Sequence, residues 1–163
     1  MLCTLRRLLF LWLLMFWQGG FIFYGAVVVE VGRQTLGDPL QGTITQRVTN
    51  WLNLAGAVAL AAWAWDIAVE PAPTHLRRRR WLLWLFLVAT LAALAWLHWS
   101  MDQHMNDATE RLTDRSGFRE LHRWYLRVST AQCAAALMLT WATLRAWRTG
   151  AARMPIDPSC DSV

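Results

Sequence analysis

The stretch LLFLWLLMFWQGGFIFYGAVVVEV, residues 8–31, is apolar over almost its whole length and decides the class of fold. It slightly exceeds the roughly 20 residues with which an α-helix crosses the hydrocarbon core of a bilayer. Arg6 and Arg7 precede it, as in a signal peptide, but the stretch is too long for one and no small-residue cleavage pattern follows. It therefore predicts an uncleaved membrane helix.

Three further apolar blocks lie at about residues 48–69, 81–100 and 124–147, and each is long enough to span a bilayer. A segment in lipid must satisfy its own backbone hydrogen bonds, so each block is expected to be an α-helix. Pro71 and Pro73 should end the second helix, and the short connections favour antiparallel neighbours. The sequence predicts an all-α fold, an integral membrane antiparallel four-helix bundle over residues 1–148, with a flexible tail at 149–163.

Composition agrees with a membrane location. Hydrophobic residues make up 56% of the chain and charged residues 17%, and the net charge is +5 with every basic residue an Arg. Because the Arg residues cluster beside apolar blocks, they favour anionic lipid headgroups as partners and argue against nucleic acid. The chain has three Cys, an odd number, and no two of them are spaced as metal ligands usually are.

The 12 Trp residues and the small residues also fit membrane helices. A belt of Trp is expected near the headgroups, formed by Trp51, Trp81, Trp99, Trp124 and Trp147. Small residues allow close contact between helices, and the candidates in the first two helices include Gly19, Gly20, Gly25 and Gly56.

The distribution of Arg predicts the orientation. Nine Arg fall on the side of the two termini, including the run Arg77, Arg78, Arg79 and Arg80, and seven fall on the other side. The positive-inside rule then places both termini in the cytoplasm, in the cytoplasmic membrane of a bacterium. The four-Arg run is expected to anchor the chain to anionic headgroups, and Asp66 and Glu70 are expected to pair with it.

Polar residues inside membrane helices are costly, which makes them functional candidates. In an alternating bundle they gather in the half that faces away from the cytoplasm, on stripes with helical spacing. We expect the stripes to point inward and form a polar cluster, whose members are Glu30, Gln46, Asn50, Asn53, Tyr125, Arg127, Ser129 and Gln132.

His98, Asp102 and His122 lie at a similar predicted depth and allow two interpretations. Imidazole and carboxylate groups bind copper, zinc or iron, and two His on neighbouring helices can hold a haem. The alternative is a hydrogen-bond network that ties helix ends together, which the absence of a tight metal motif favours. No cofactor is therefore predicted, and copper, zinc or haem is the alternative.

Arg127 is the last of five Arg spaced four residues apart from Arg111, and it lies one turn inside the fourth block. The series indicates a solvated interfacial helix more than a path for an anion. Gly117 is expected to interrupt any continuous helix before the fourth span. Arg127 itself should need a carboxylate, and Glu30 and Asp102 are at suitable depth.

Four stretches, FWQGGFIFYGAVVVEVG, QGTITQRVTNWLN, LHWSMD and FRELHRWYLRVSTAQ, resemble small bacterial four-helix membrane proteins of unknown function. Their layout is similar to the transmembrane-protein-205-like domain, and more distantly to the copper-resistance D domain and the four-helix membrane protoporphyrinogen oxidase. The resemblance implies a four-helix bundle. It does not carry over copper or haem chemistry, because the first helix has no His and Glu30 stands where Pro is expected.

Three functions follow as hypotheses. The first is a non-enzymatic accessory or small-solute-handling factor that works with a membrane protein partner or as a homo-oligomer. The second is a metal- or haem-binding protein that uses His98, Asp102 and His122. The third is a transporter or channel, which is weakest because four helices leave little room for a pathway and no inverted repeat is visible.

Overall fold

The structure is a computed structural model that describes residues 2–102, 105–106, 111–112 and 115–151. In this part of the chain, four long helices follow one another. Helix α1 is continuous through the consecutive segments Leu2–Leu14, Met15–Gly19, Gly20–Phe23, Tyr24–Val28 and Val29–Leu36. The other three helices are α2 at Asp38–Val69, α3 at Thr74–Asp102 and α4 at Arg115–Ala151.

Each observed helix is longer than the apolar block that predicted it. Helix α2 begins at Asp38 and not near residue 48, and α3 begins at Thr74 and not near residue 81. Helix α4 runs from Arg115 to Ala151, so Gly117 lies in its first turn and does not interrupt it. An apolar block marks only the part suited to lipid, whereas backbone hydrogen bonds extend the helix into polar residues.

Short junctions hold the helices in an antiparallel order. Gly37 alone separates α1 from α2, with a φ of 81° that an L side chain rarely adopts, and Pro39 follows in the first turn of α2. Glu70 is extended before Pro71, which stops α2 at Val69. Between α3 and α4, strand β1 at Met105–Asn106 pairs antiparallel with β2 at Arg111–Leu112.

Helix α1 contains two π-helical turns, Met15–Gly19 and Tyr24–Val28. A π turn adds a residue to one turn and rotates the side chains that follow it. Trp17, in the first turn, is buried and lies against Gly56 of α2. Tyr24 begins the second turn and its hydroxyl donates to Thr45 Oγ1 of α2 at 3.2 Å.

The buried core is aromatic and lies where all four helices meet. The Phe10 ring of α1 packs edge-on against Trp63 of α2, with centroids 4.7 Å apart, and against Trp147 of α4, with centroids 5.5 Å apart. Leu87 of α3 is buried in the same cluster. Because Phe10 is near the start of α1 and Trp147 near the end of α4, these two helices run antiparallel.

Three of the described helical stretches are long and apolar enough to cross a membrane by length and composition, namely Thr4–Leu36, Leu40–Val69 and Thr74–Met101. Helix α4 is long enough, but it is not among them. Its middle carries polar side chains, and two of these, Ser129 and Gln132, are buried inside the bundle.

Candidate functional site

Six side chains at one end of the bundle form a buried network that we call the charge cluster. It unites Arg6 and Arg7 of α1, Asp66 and Glu70 of α2, Arg80 of α3 and Trp147 of α4. The end of the bundle at which it lies holds the beginnings of α1 and α3 and the ends of α2 and α4. Every helix therefore contributes at least one member.

Asp66 accepts hydrogen bonds from α3 and α4 at once. Arg80 Nη2 donates to Asp66 Oδ2 at 2.5 Å, and both side chains are buried, with 0% and 1% of their surface exposed. Trp147 Nε1 donates to the same carboxylate, at 3.2 Å from Oδ2. Arg6 Nε lies 3.4 Å from Asp66 Oδ1. The expected pairing of Asp66 with the Arg run is confirmed for Arg80.

Glu70 joins the start of α1 to the end of α2. Its Oε1 accepts a hydrogen bond from Arg7 Nη2 at 3.0 Å, and its Oε2 contacts Arg6 Nη2. The Arg7 guanidinium also lies 5.2 Å from the centre of the Trp147 ring, a cation–π distance. Glu70 thus forms its ion pairs with Arg6 and Arg7 of α1, whereas we expected it to pair with the Arg run.

Local sequence explains why these groups meet. Asp66 and Glu70 are four residues apart and share one face of α2. Gly150 near the end of α4 lets the backbone approach them, because a Cβ at this position would lie 3.1 Å from Glu70 Oε1. The carboxylates consequently face the interior, where the Arg side chains of α1 and α3 reach them.

The four-Arg run splits into two environments. Arg77, Arg78 and Arg79 are exposed at the start of α3, and their contact with headgroups stays a prediction. Arg80 has no exposed surface, and its charge is directed to Asp66. The headgroup role expected for Arg80 is therefore corrected to an internal ion pair, because the rotation of α3 turns this residue inward.

The opposite half of the bundle holds a looser polar region. The half-buried Tyr125 of α4 lies beside the buried Thr49 of α2. Its ring lies 6.5 Å from that of Phe21. Ser129 and Gln132 are buried, Ser129 donates to the Tyr125 carbonyl at 2.7 Å, and Gln132 Nε2 lies 3.5 Å from Thr90 Oγ1. Gln46 and Asn53 are half-buried.

Three residues expected in that cluster point elsewhere. Glu30 is exposed and pairs with Arg33 on its own helix at 3.0 Å. Asn50 is exposed. Arg127 is also exposed, and its guanidinium lies 5.0 Å from the centre of the Trp124 ring. Arg127 therefore stacks on Trp124, and Glu30 is not its partner, because each charge finds a neighbour on its own helix.

The candidate metal ligands do not form a described site. His98 is buried, with 7% of its surface exposed, whereas His122 is exposed. Asp102 is the last residue of α3, and its side chain lies outside the described part of the chain. Among the described residues, no group of three His, Cys, Asp or Glu side chains could hold a metal ion.

Two groups of residues were missed by sequence reasoning. The sequence analysis assigned Arg6 and Arg7 to membrane topology and Trp147 to the Trp belt. The signal that could have revealed the cluster is that these two Arg residues lie at the same predicted depth as the carboxylates of α2. Gln41 is buried between the first two helices, where its Nε2 donates to Thr45 Oγ1 at 3.2 Å and its side chain occupies the space above Gly32. The only sequence feature that indicated this contact is the glycine at position 32, which leaves room for the Gln41 side chain.

Comparison of this chain with protein-family models, with curated proteins and with solved structures finds no match. Its function must therefore be argued from the residues themselves.

Proposed function

We propose that this chain is a multi-pass integral protein of the bacterial cytoplasmic membrane in which α1, α2, α3 and α4 all cross the bilayer. The observation that carries the proposal is the apolar surface, because large side chains on every helix are exposed. Examples are Trp12, Trp51, Phe86 and Trp141. Soluble monomers rarely expose a contiguous apolar patch of more than a few hundred Å².

Helix α4 fits this proposal despite its lower hydropathy. Its polar Ser129, Gln132 and Thr143 are buried, so they do not meet lipid. Leu137, Met138 and Trp141 are exposed instead. The mean hydropathy of a helix ignores this division between faces, and a helix that hides its polar groups in a bundle can still span.

The proposed orientation has both termini in the cytoplasm. Arg6, Arg7 and the exposed Arg77–Arg79 lie at the charge-cluster end, together with Arg145 and Arg148 near the end of α4. This concentration of Arg supports a cytoplasmic location for that end by the positive-inside rule. Exposed Arg beside the bilayer would also contact anionic headgroups.

We propose a non-enzymatic role, as an accessory or small-solute-handling factor that works with a membrane protein partner or a second copy. The described polar groups support this because they are mostly engaged with one another across helices, as in the charge cluster and the Tyr125–Thr49 contact. From the resemblance to transmembrane-protein-205-like domains we propose only a shared four-helix architecture and no shared activity. Binding of a metal or haem through His98, Asp102 and His122 is the competing function.

One preparation tests both parts. Membranes containing the chain are washed in alkaline carbonate, then solubilised in mild detergent, and the purified protein is analysed by visible spectroscopy and metal analysis. We expect retention in the washed membranes and a colourless, metal-free protein. Release by carbonate would contradict the membrane proposal. A Soret band or stoichiometric metal that is lost in His98→Ala and His122→Ala, but not in the control His75→Ala, would favour the competing function.

A further inference from the structure

The charge cluster is not electrically balanced. Its three guanidiniums, on Arg6, Arg7 and Arg80, face two carboxylates, on Asp66 and Glu70, which leaves one positive charge in excess. The exposed side-chain surface is 12% for Arg6 and 29% for Arg7, so water screens this charge only from one side. A buried charge without a counter-charge is unfavourable.

The helix ends do not supply the missing negative charge. The starts of α1 and α3 carry partial positive charge, and the ends of α2 and α4 carry partial negative charge. All four lie at this end of the bundle, and their contributions oppose one another. Within the described part of the chain, the excess charge on the guanidiniums therefore remains.

Several donors in the cluster also lack acceptors. Arg6 Nε, Arg7 Nε, and both Nε and Nη1 of Arg80 are buried without a hydrogen-bond partner among the described residues. Buried N–H groups in folded proteins are nearly always bonded, so unpaired ones need an explanation. The carboxylates accept from other atoms of these Arg side chains and from Trp147, and Arg6 Nε lies 3.4 Å from Asp66 Oδ1 without forming a hydrogen bond.

We propose that the charge cluster binds one singly charged phosphate group, at the side where Arg6 and Arg7 have exposed surface. A single negative charge matches the single excess positive charge. Phosphate oxygens suit guanidinium donors in geometry and can accept from more than one of them at once. Asp66 and Glu70 serve as positioning residues that hold the guanidiniums apart.

The singly charged phosphate has two chemical sources, the phosphodiester of an anionic lipid and the dihydrogen form of free inorganic phosphate. The exposed Arg77, Arg78 and Arg79 at the same end would draw either anion toward the cluster. Only the lipid source rests on the proposed membrane location. The site itself rests on the charge balance and on the exposed part of the Arg6 and Arg7 side chains.

The test uses the full chain, purified in detergent and stripped of lipid. Thermal unfolding is followed while inorganic phosphate is titrated in one arm and phosphatidylglycerol in mixed micelles in another, with uncharged diacylglycerol as the lipid control. We expect phosphate, phosphatidylglycerol or both to raise the Tm of the wild type, because a ligand stabilises the state that binds it. In Arg7→Gln the apparent affinity should fall roughly tenfold or more.

Arg47→Gln is the matched control, because it removes the same charge from an exposed position on α2, toward the end of the bundle opposite the charge cluster. We expect its titration to match the wild type. Without ligand, Arg7→Gln should unfold no earlier than the wild type, since the change removes the excess charge and leaves Arg6 on Glu70. This readout separates a binding site from a merely structural cluster, for which Arg7→Gln would be less stable and no ligand would act.

The two sources give different results in native mass spectrometry. If one phosphatidylglycerol per chain is retained and inorganic phosphate does not shift the Tm, the source is the lipid. A Tm shift with inorganic phosphate identifies the free anion. The proposal is overturned if neither ligand shifts the wild-type Tm, or if Arg7→Gln and Arg47→Gln respond equally. Release from carbonate-washed membranes would contradict the proposed function without affecting the phosphate titration.

Discussion

At the scale of single residues, Trp17 of α1 packs directly against Gly56 of α2. The indole has 2% of its surface exposed, and an ideal Cβ on Gly56 would lie 2.7 Å from its ring atoms. Such a distance is shorter than real Cβ contacts, so any side chain at position 56 must displace the indole. The pair thereby sets how closely α1 can approach α2.

We expect Gly56→Ala to lower the free energy of unfolding by about 1–3 kcal/mol, because it overpacks a rigid aromatic contact. Gly19→Ala is the matched control, since a Cβ at this position meets nothing within 4 Å. Unfolding of the detergent-solubilised variants, followed by circular dichroism, provides the measurement. Equal stability of the two variants would show that α1 can move away from α2 at no cost.

At the scale of helices, α4 is the element whose relation to the bilayer depends most on its partners. Trp147 near its end contacts Phe10 and Arg7 near the start of α1, which places the two ends at the same level of the bundle. If α1, α2 and α3 cross the membrane, this contact requires α4 to cross as well. Its hydropathy alone does not require that.

Reporter fusions test the path of α4. Alkaline phosphatase joined after Ala151 should be inactive and green fluorescent protein at the same position should be fluorescent, because both report a cytoplasmic location. Fusions after Met101, at the end of α3, serve as controls and should give the reverse pattern. Active phosphatase after Ala151 would mean that α4 does not cross the membrane.

At the scale of the whole molecule, the charge cluster joins all four helices through polar contacts, as the aromatic core joins them through apolar ones. Asp66 alone contacts Arg6, Arg80 and Trp147, which belong to three different helices. In an apolar bundle surrounded by lipid, helix association gains little from the hydrophobic effect. Ion pairs and close packing therefore have a larger share in fixing the arrangement.

Asp66→Asn should reduce the free energy of unfolding by about 3–5 kcal/mol, since it leaves Arg80 buried without its counter-charge. Glu30→Gln removes a carboxylate from an exposed pair with Arg33 and should change stability little. Denaturation of both variants in increasing sodium dodecyl sulfate provides the comparison. An Asp66→Asn protein as resistant as Glu30→Gln would refute a stabilising role for the cluster.

The sequence by itself determined the helices. A long apolar block in residues 8–31 or 81–100 is a local property, and it predicts a helix whatever the neighbours are. Part of the charge cluster was predictable in the same way, because only a short connection separates the end of α2, where Asp66 lies, from the Arg run at the start of α3. Sequence reasoning thus reached a pairing of Asp66 with the Arg run, and the structure shows that its partner in the run is Arg80.

Only the tertiary structure decided which polar groups face one another. The rotation of each helix about its axis depends on packing with the others. Trp17 of α1 packs against Gly56 of α2, and Trp147 of α4 hydrogen bonds the buried Asp66 and does not lie in the expected Trp belt. That rotation left Glu30 and Asn50 exposed and enclosed Arg80. Depth along a helix can be read from one chain segment, whereas direction around it is a property of the assembled bundle.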